Sequence, residues 1–177
     1  MQRRKFLKRT LVGGTIAAIG SGYFWLKSGN GPENLTIKQG LEQLDDLTGK
    51  QIKSTGDWNP SQIFNHLAQS IEYSMQGYPT QKSNTFKNTV GLAAFSIFVT
   101  RGEMTHGLSE AIPGGEPIDE NNTNKALDRL KKSLTDFDNY SGVLKSHFAY
   151  GKLSKQEYTY AHLMHINNHF EEITTNA

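Results

Sequence analysis

Apolar residues recur every three or four positions along most of the chain, the spacing that places them on one face of a helix. In residues 35–49, "LTIKQGLEQLDDLTG", Leu41, Leu44 and Leu47 follow that spacing and Gly49 supplies a stop. In residues 57–77, "DWNPSQIFNHLAQSIEYSMQG", Ile63, Leu67, Ile71 and Met75 stand four apart. There Asn59 suits an N-cap, Pro60 suits the first helical position, where a missing N–H costs nothing, and Gly77 closes the segment. Residues 85–102 are apolar through Leu92–Val99 with a β-branched ending, and helix is the favoured reading. Residues 102–122 hold Pro113, Gly114, Gly115 and Pro117 and read as a long loop. Leu127, Leu130, Leu134 and Phe137 form a further helical stripe, followed by a connector over residues 139–153. The last helix opens at Ser154-Lys155-Gln156-Glu157, a capping box, and is expected to run to about Ile173. No strand-rich block and no internal repeat appears. The expected fold is all-α: a bundle of four main helices with an additional helix and long connectors, spanning residues 35–175.

Residues 1–30 stand apart. A basic start is followed by an apolar run from Leu11 to Leu26 that is diluted by Gly13, Gly14, Gly20 and Gly22. Gln2-Arg3-Arg4-Lys5-Phe6-Leu7-Lys8 resembles the twin-arginine export signal, a paired Arg followed by a variable residue, Phe, Leu and often Lys. The resemblance implies an exported, periplasmic bacterial protein that meets the twin-arginine machinery already folded. The apolar run falls short of the ~20 residues that span a bilayer comfortably. It lacks a clean small-x-small cleavage site, so an uncleaved N-terminal anchor is the alternative. Contact with membrane would come only through this segment.

Charge and cysteine narrow the chemistry further. The net charge is +2, yet residues 1–29 carry six basic side chains and no acid, so the remainder is acidic, with a net charge of −4. The basic character belongs to the N-terminus, which disfavours nucleic acid as a partner of the folded part. The chain has no cysteine. Disulfides, thiolate ligands and a cysteine nucleophile are therefore excluded.

The stretch "AHLMHINNHF" holds the most suggestive chemistry. At ~100° per residue, Tyr158, His162, His165, Ile166, His169 and Ile173 share one face, the one that should meet the core. Each buried imidazole needs a partner, and crowded imidazoles repel when protonated; a divalent metal, which binds the neutral ring, resolves both difficulties. His165 and His169, four apart, suit convergence on one ion, and His162 with His165 is a second pairing. His66, flanked by Ile63 and Leu67 at the edge of its helix's apolar face, is the expected third ligand.

Trp58-Asn59-Pro60-Ser61-Gln62-Ile63-Phe64-Asn65-His66-Leu67 resembles the second-helix signature of the DinB-like superfamily, and His165-x-x-x-His169 resembles that superfamily's closing pair. "HLAQSIEYSMQGYP", "AIPGGEP", "SHFAYGKLSKQEY" and "HLMHINNHF" together resemble an uncharacterised bacterial domain-of-unknown-function family within it, over residues 57–170. The resemblance implies an up-down-down-up four-helix bundle with a divalent metal on His66, His165 and His169. Characterised superfamily members include thiol-dependent transferases and isomerases. One departure stands out: many members carry His before the final ligand and Gly-Gln after it, where this chain has Asn168 and Phe170-Glu171.

Around the expected metal, His162 reads as a partner that holds the free nitrogen of a metal-bound imidazole, a place His106 and His147 could also take, or as a polar residue at the bundle edge. His106 and His147, in the connectors, read as an acid, base or gate, or as makers of structural hydrogen bonds. Glu72, six residues after His66, reads as a surface acid. Two functions follow. One is a metal-dependent enzyme, a hydrolase or transferase on a small molecule, using Zn, Ni, Fe, Cu or Mn at a three-His site with an open position. The other is a non-catalytic exported bundle that binds a small ligand or a protein partner, a second copy of the chain included.

Overall fold

The computed structural model describes Pro32 and residues 35–118 and 121–176. The export-signal reading falls on residues 1–30 and lies outside them. Helix α1, Ile37–Asp45, starts at a capping box: the Thr36 side chain accepts the Gln39 N–H, and the Gln39 side chain accepts the Thr36 N–H. Helix α2, Pro60–Gln76, starts the same way at Asn59 and Gln62, with bonds of 3.0 and 2.9 Å, and ends at Gly77. Pro60 at the first position and Gly77 beyond the last are where the sequence predicts them. Helix α4, Thr123–Asn139, is capped by Asn122, and α5, Lys155–Phe170, by Ser154 with Glu157.

Helix α3, Leu92–Arg101, is entered through a short turn, Asn84–Phe86, and one wide π turn, Lys87–Gly91. The wide turn is seated against the connector before α5. A Cβ at Gly91 would collide with the Ala149 carbonyl, so only glycine allows that approach. Helix is thus the right reading of residues 85–102.

Two strands were not expected. β1, Gln51–Ser54, pairs antiparallel with β2, Ile173–Asn176, in the register Gln51↔Asn176 to Ser54↔Ile173. The last helix therefore stops at Phe170, short of Ile173. The β-branched run Ile173-Thr174-Thr175 favours an extended backbone, and β1 offers it a partner.

Helix α2 lies along α4; α1 touches α4 and α5; and α5 also packs on α2 and α3. Ile63, Phe64, Leu67 and Ile71 of α2 share one core with Leu130, Leu134 and Phe137 of α4 and with Tyr158 and Ile166 of α5. Each is at most 1% exposed, which removes about 1.5–3 kcal/mol of apolar side-chain exposure per residue. Arg129 of α4 fastens α2 from outside the core, with bonds of 2.9 and 2.6 Å to the two Glu72 oxygens and 2.9 Å to Asn65 Oδ1. Among the described residues no helix is long and apolar enough to cross a membrane.

Candidate metal centre

The packing of α5 on α2 brings His66 to the face of α5 that carries His165 and His169. His66 Nε2 lies 3.1 Å from His165 Nε2, and the ring centroids of His66, His165 and His169 are 4.9–5.0 Å apart. The connector after α3 adds a fourth ring. His106 Nε2 is 3.1 Å from His165 Nε2, and one nitrogen from each of the four imidazoles lies within 4.8 Å of the others. Three of the four come from helices; His106, the most exposed, comes from a loop.

Hydrogen bonding alone does not account for this cluster. A ring nitrogen has one in-plane site, either a proton or a lone pair. His165 Nε2 has two short nitrogen neighbours, so its contacts are not two ordinary hydrogen bonds. His169, fully buried, has no partner at either ring nitrogen, and His66 Nδ1 is also buried without one. An orphaned buried polar atom costs about 1–3 kcal/mol. A cation among the rings would relieve part of that cost. Nitrogens ~2.1 Å from one ion stand about 3.0 Å apart at right angles and about 3.4 Å apart in a tetrahedron, which brackets the observed 3.1 Å. The four histidines can hold a metal ion.

Their protonation suits the task. Burial, with the charge of His106 next, pushes His66 down to about 3. Burial, then the neighbouring rings His66 and His106, pushes His169 down to about 2. His165 is held well below its ordinary value by burial and by His66, His169 and His106. His66, His165 and His169 are thus neutral near pH 7, as ligation requires.

Asn168 aims the loop histidine. Its Oδ1 accepts from His106 Nδ1 at 2.8 Å, which leaves the Nε2 lone pair of His106 directed at the cluster. The residue that departs from the DinB-like pattern therefore has a structural role. Half-buried Trp58 flanks two of the rings, parallel to His169 at 6.2 Å and edge-on to His66 at 5.0 Å. Glu72, paired with Arg129, stays out of the centre.

The remaining two histidines line a cavity of about 220 Å³ that the cluster also borders. His162 does not hold a cluster imidazole; its Nε2 is 3.2 Å from Ser74 Oγ. His147 lies flat on Tyr150, 4.3 Å between centroids, in a tight turn closed by backbone bonds to Gly151. That closure needs the positive φ of +83° at Gly151. Sequence reasoning set His106 beside the expected metal as an acid, base or gate; that its ring stands within the cluster, and the parts played by Asn168 and Trp58, did not follow from spacing. The only advance signal was that the connector holding His106 is rich in Gly and Pro.

The model of one protein family matches residues 30–176, and that family is described as protein of unknown function, DUF1569. No curated protein and no solved structure matches the chain. By that match, which covers more than four fifths of the sequence, the chain belongs to the DUF1569 family.

Proposed function

We propose that this chain is an exported, DinB-like four-helix-bundle protein that holds one divalent metal on His66, His165 and His169, with His106 as a fourth, loop-borne ligand. Its activity would be that of a metal-dependent hydrolase or transferase on a small molecule in the periplasm. The single observation that carries the reading is the convergence of four imidazoles, with three orphaned ring nitrogens among them. Support for the bundle comes from the ring of contacts that runs from α1 to α4, α2, α5 and back to α1. Support for export comes from Arg3-Arg4-Lys5-Phe6-Leu7-Lys8.

A divalent ion in such a site lowers the pKa of bound water or polarises a bound oxygen. The chain's own residues do the rest. His66, His165 and His169 would hold the ion from two packed helices, with Trp58 beside His66 and His169. His106 borders the cavity together with His66 and His165, and as the loop residue it is the ligand that can yield its place to a substrate atom.

A fourth imidazole also favours a second reading, because a closed four-ligand shell is the mark of a structural metal site. Thermal unfolding with and without a chelator tests the common claim. A ligand that binds only the folded state at 100 times its Kd adds about 2.7 kcal/mol, so the midpoint should fall on chelation. An unchanged midpoint would overturn the metal. Activity screening of His106→Ala against wild type then separates the readings: a catalytic site retains turnover without its loop ligand, and a structural one has none to retain.

A further inference from the structure

His147 and His162 face the same cavity with opposite hydrogen-bonding sense. The one lone pair of His147 Nδ1 is shared by two backbone N–H groups, from Ala149 at 3.2 Å and Tyr150 at 3.1 Å. Its proton is therefore fixed on Nε2, and the ring is a donor. His162 is the reverse. Ser74 Oγ donates its single hydrogen to the Ile71 carbonyl at 2.6 Å, so at the 3.2 Å contact with His162 it can only accept. The His162 proton is fixed on Nε2, and Nδ1 keeps a lone pair.

We propose that this cavity is the substrate-head site, and that it selects an uncharged group able both to accept from His147 Nε2–H and to donate to His162 Nδ1, a carboxamide, with its acceptor and donor on separate atoms, being such a group. The reading deepens the proposed function by naming a substrate class, and it depends on the two tautomers rather than on the metal. Burial pushes both rings down to about 3, the charge of His162 adding to the effect on His147, so neither offers a cation to an anionic ligand near pH 7. A carboxylate would set its lone pairs against that of His162, and a protonated amine, which has no lone pair, would leave the His147 donor unmatched. Met104, Ile112, Pro113 and Phe148 supply apolar wall for the body of the molecule. Lys82 and Glu110, both exposed, bring opposite charges to the lining.

Two neutral probes of similar shape separate the donor from the acceptor. Benzamide both accepts and donates; acetophenone only accepts. Calorimetric titration of the full chain as purified, its metal content measured in parallel, should show benzamide binding about tenfold tighter, since a site built around a hydrogen-bond pair rejects the analogue lacking one member. His147→Phe should weaken both probes. His162→Phe should weaken only benzamide, down to the level of acetophenone. Metal content should match wild type in both variants. Equal binding of the two probes by wild type, binding of neither, or wild-type affinity for benzamide in both variants would overturn the proposal and leave the metal reading standing.

Discussion

Asn168 Oδ1 accepts from His106 Nδ1 at 2.8 Å across 62 residues of sequence, and His106 Nε2 then lies 3.1 Å from His165. One amide thus sets the tautomer of the loop imidazole. Removing such an outer partner typically lowers metal affinity 10–100-fold. Asn168→Leu is therefore expected to weaken zinc binding about tenfold or more in a competition titration. Because Asn168 acts through His106, the double variant with His106→Ala should bind about as His106→Ala alone does. Fully additive losses would show that Asn168 acts elsewhere.

Acid should destabilise the fold, and the sign follows from burial. His66, His147, His162, His165 and His169 all have folded pKa values depressed below the ordinary 6.5, with burial the largest cause. Below pH 6.5 the unfolded chain takes up protons that the folded chain refuses, so stability is complete above that pH and drains away toward pH 3. Each such histidine removes about 1.4 kcal/mol per pH unit within its window. At 2–4 °C per kcal/mol for a chain of this size, the midpoint at pH 5.5 should lie about 10 °C or more below that at pH 7.5. Much of the drop should persist in chelator, because His147 and His162 lie outside the cluster. Equal midpoints at the two pH values would contradict the burial of neutral rings.

The Gly91 contact carries a structural prediction. Its backbone meets the Ala149 carbonyl inside the turn that holds His147. Gly91→Ala forces two backbones apart, an overpacking that typically costs about 1–3 kcal/mol. Urea unfolding should read that loss, whereas Val90→Ala, at a position 57% exposed, should leave the midpoint nearly unchanged.

Glu72 separates fold from site. Its pair with Arg129 is bidentate but partly exposed, 24% on the Glu72 side chain and 39% on Arg129, so solvent screens it. Glu72→Gln should cost about 1 kcal/mol by chemical unfolding, near the upper end for surface pairs. Metal content should be unaltered. Loss of metal would place this carboxylate among the ligands.

The helices were legible because their signals are local. Asn59-Pro60 with Gln62, and Ser154 with Glu157, state where α2 and α5 begin, and the apolar stripes state which faces are buried. His165 and His169 share a face by spacing alone, and His66 stands at the edge of another. The ribbon was not legible: its strands are four residues long and 118 or more residues apart. Only the β-branched Ile173-Thr174-Thr175 hinted at it. His106 was read as an acid, base or gate near the metal and not as a member of the cluster, because no periodicity encodes the path of a connector. The tautomers of His147 and His162 depend on tertiary neighbours, Ser74 and the turn closed at Gly151, which spacing does not reveal.

Elemental analysis of the full chain, purified near neutral pH without a histidine tag from its native compartment, tests the metal centre most directly. Neutral buried imidazoles that converge should retain about one divalent ion per chain, and His66→Ala and His165→Ala should each retain little. Wild-type protein without bound metal, or either variant with its full complement, would contradict the account.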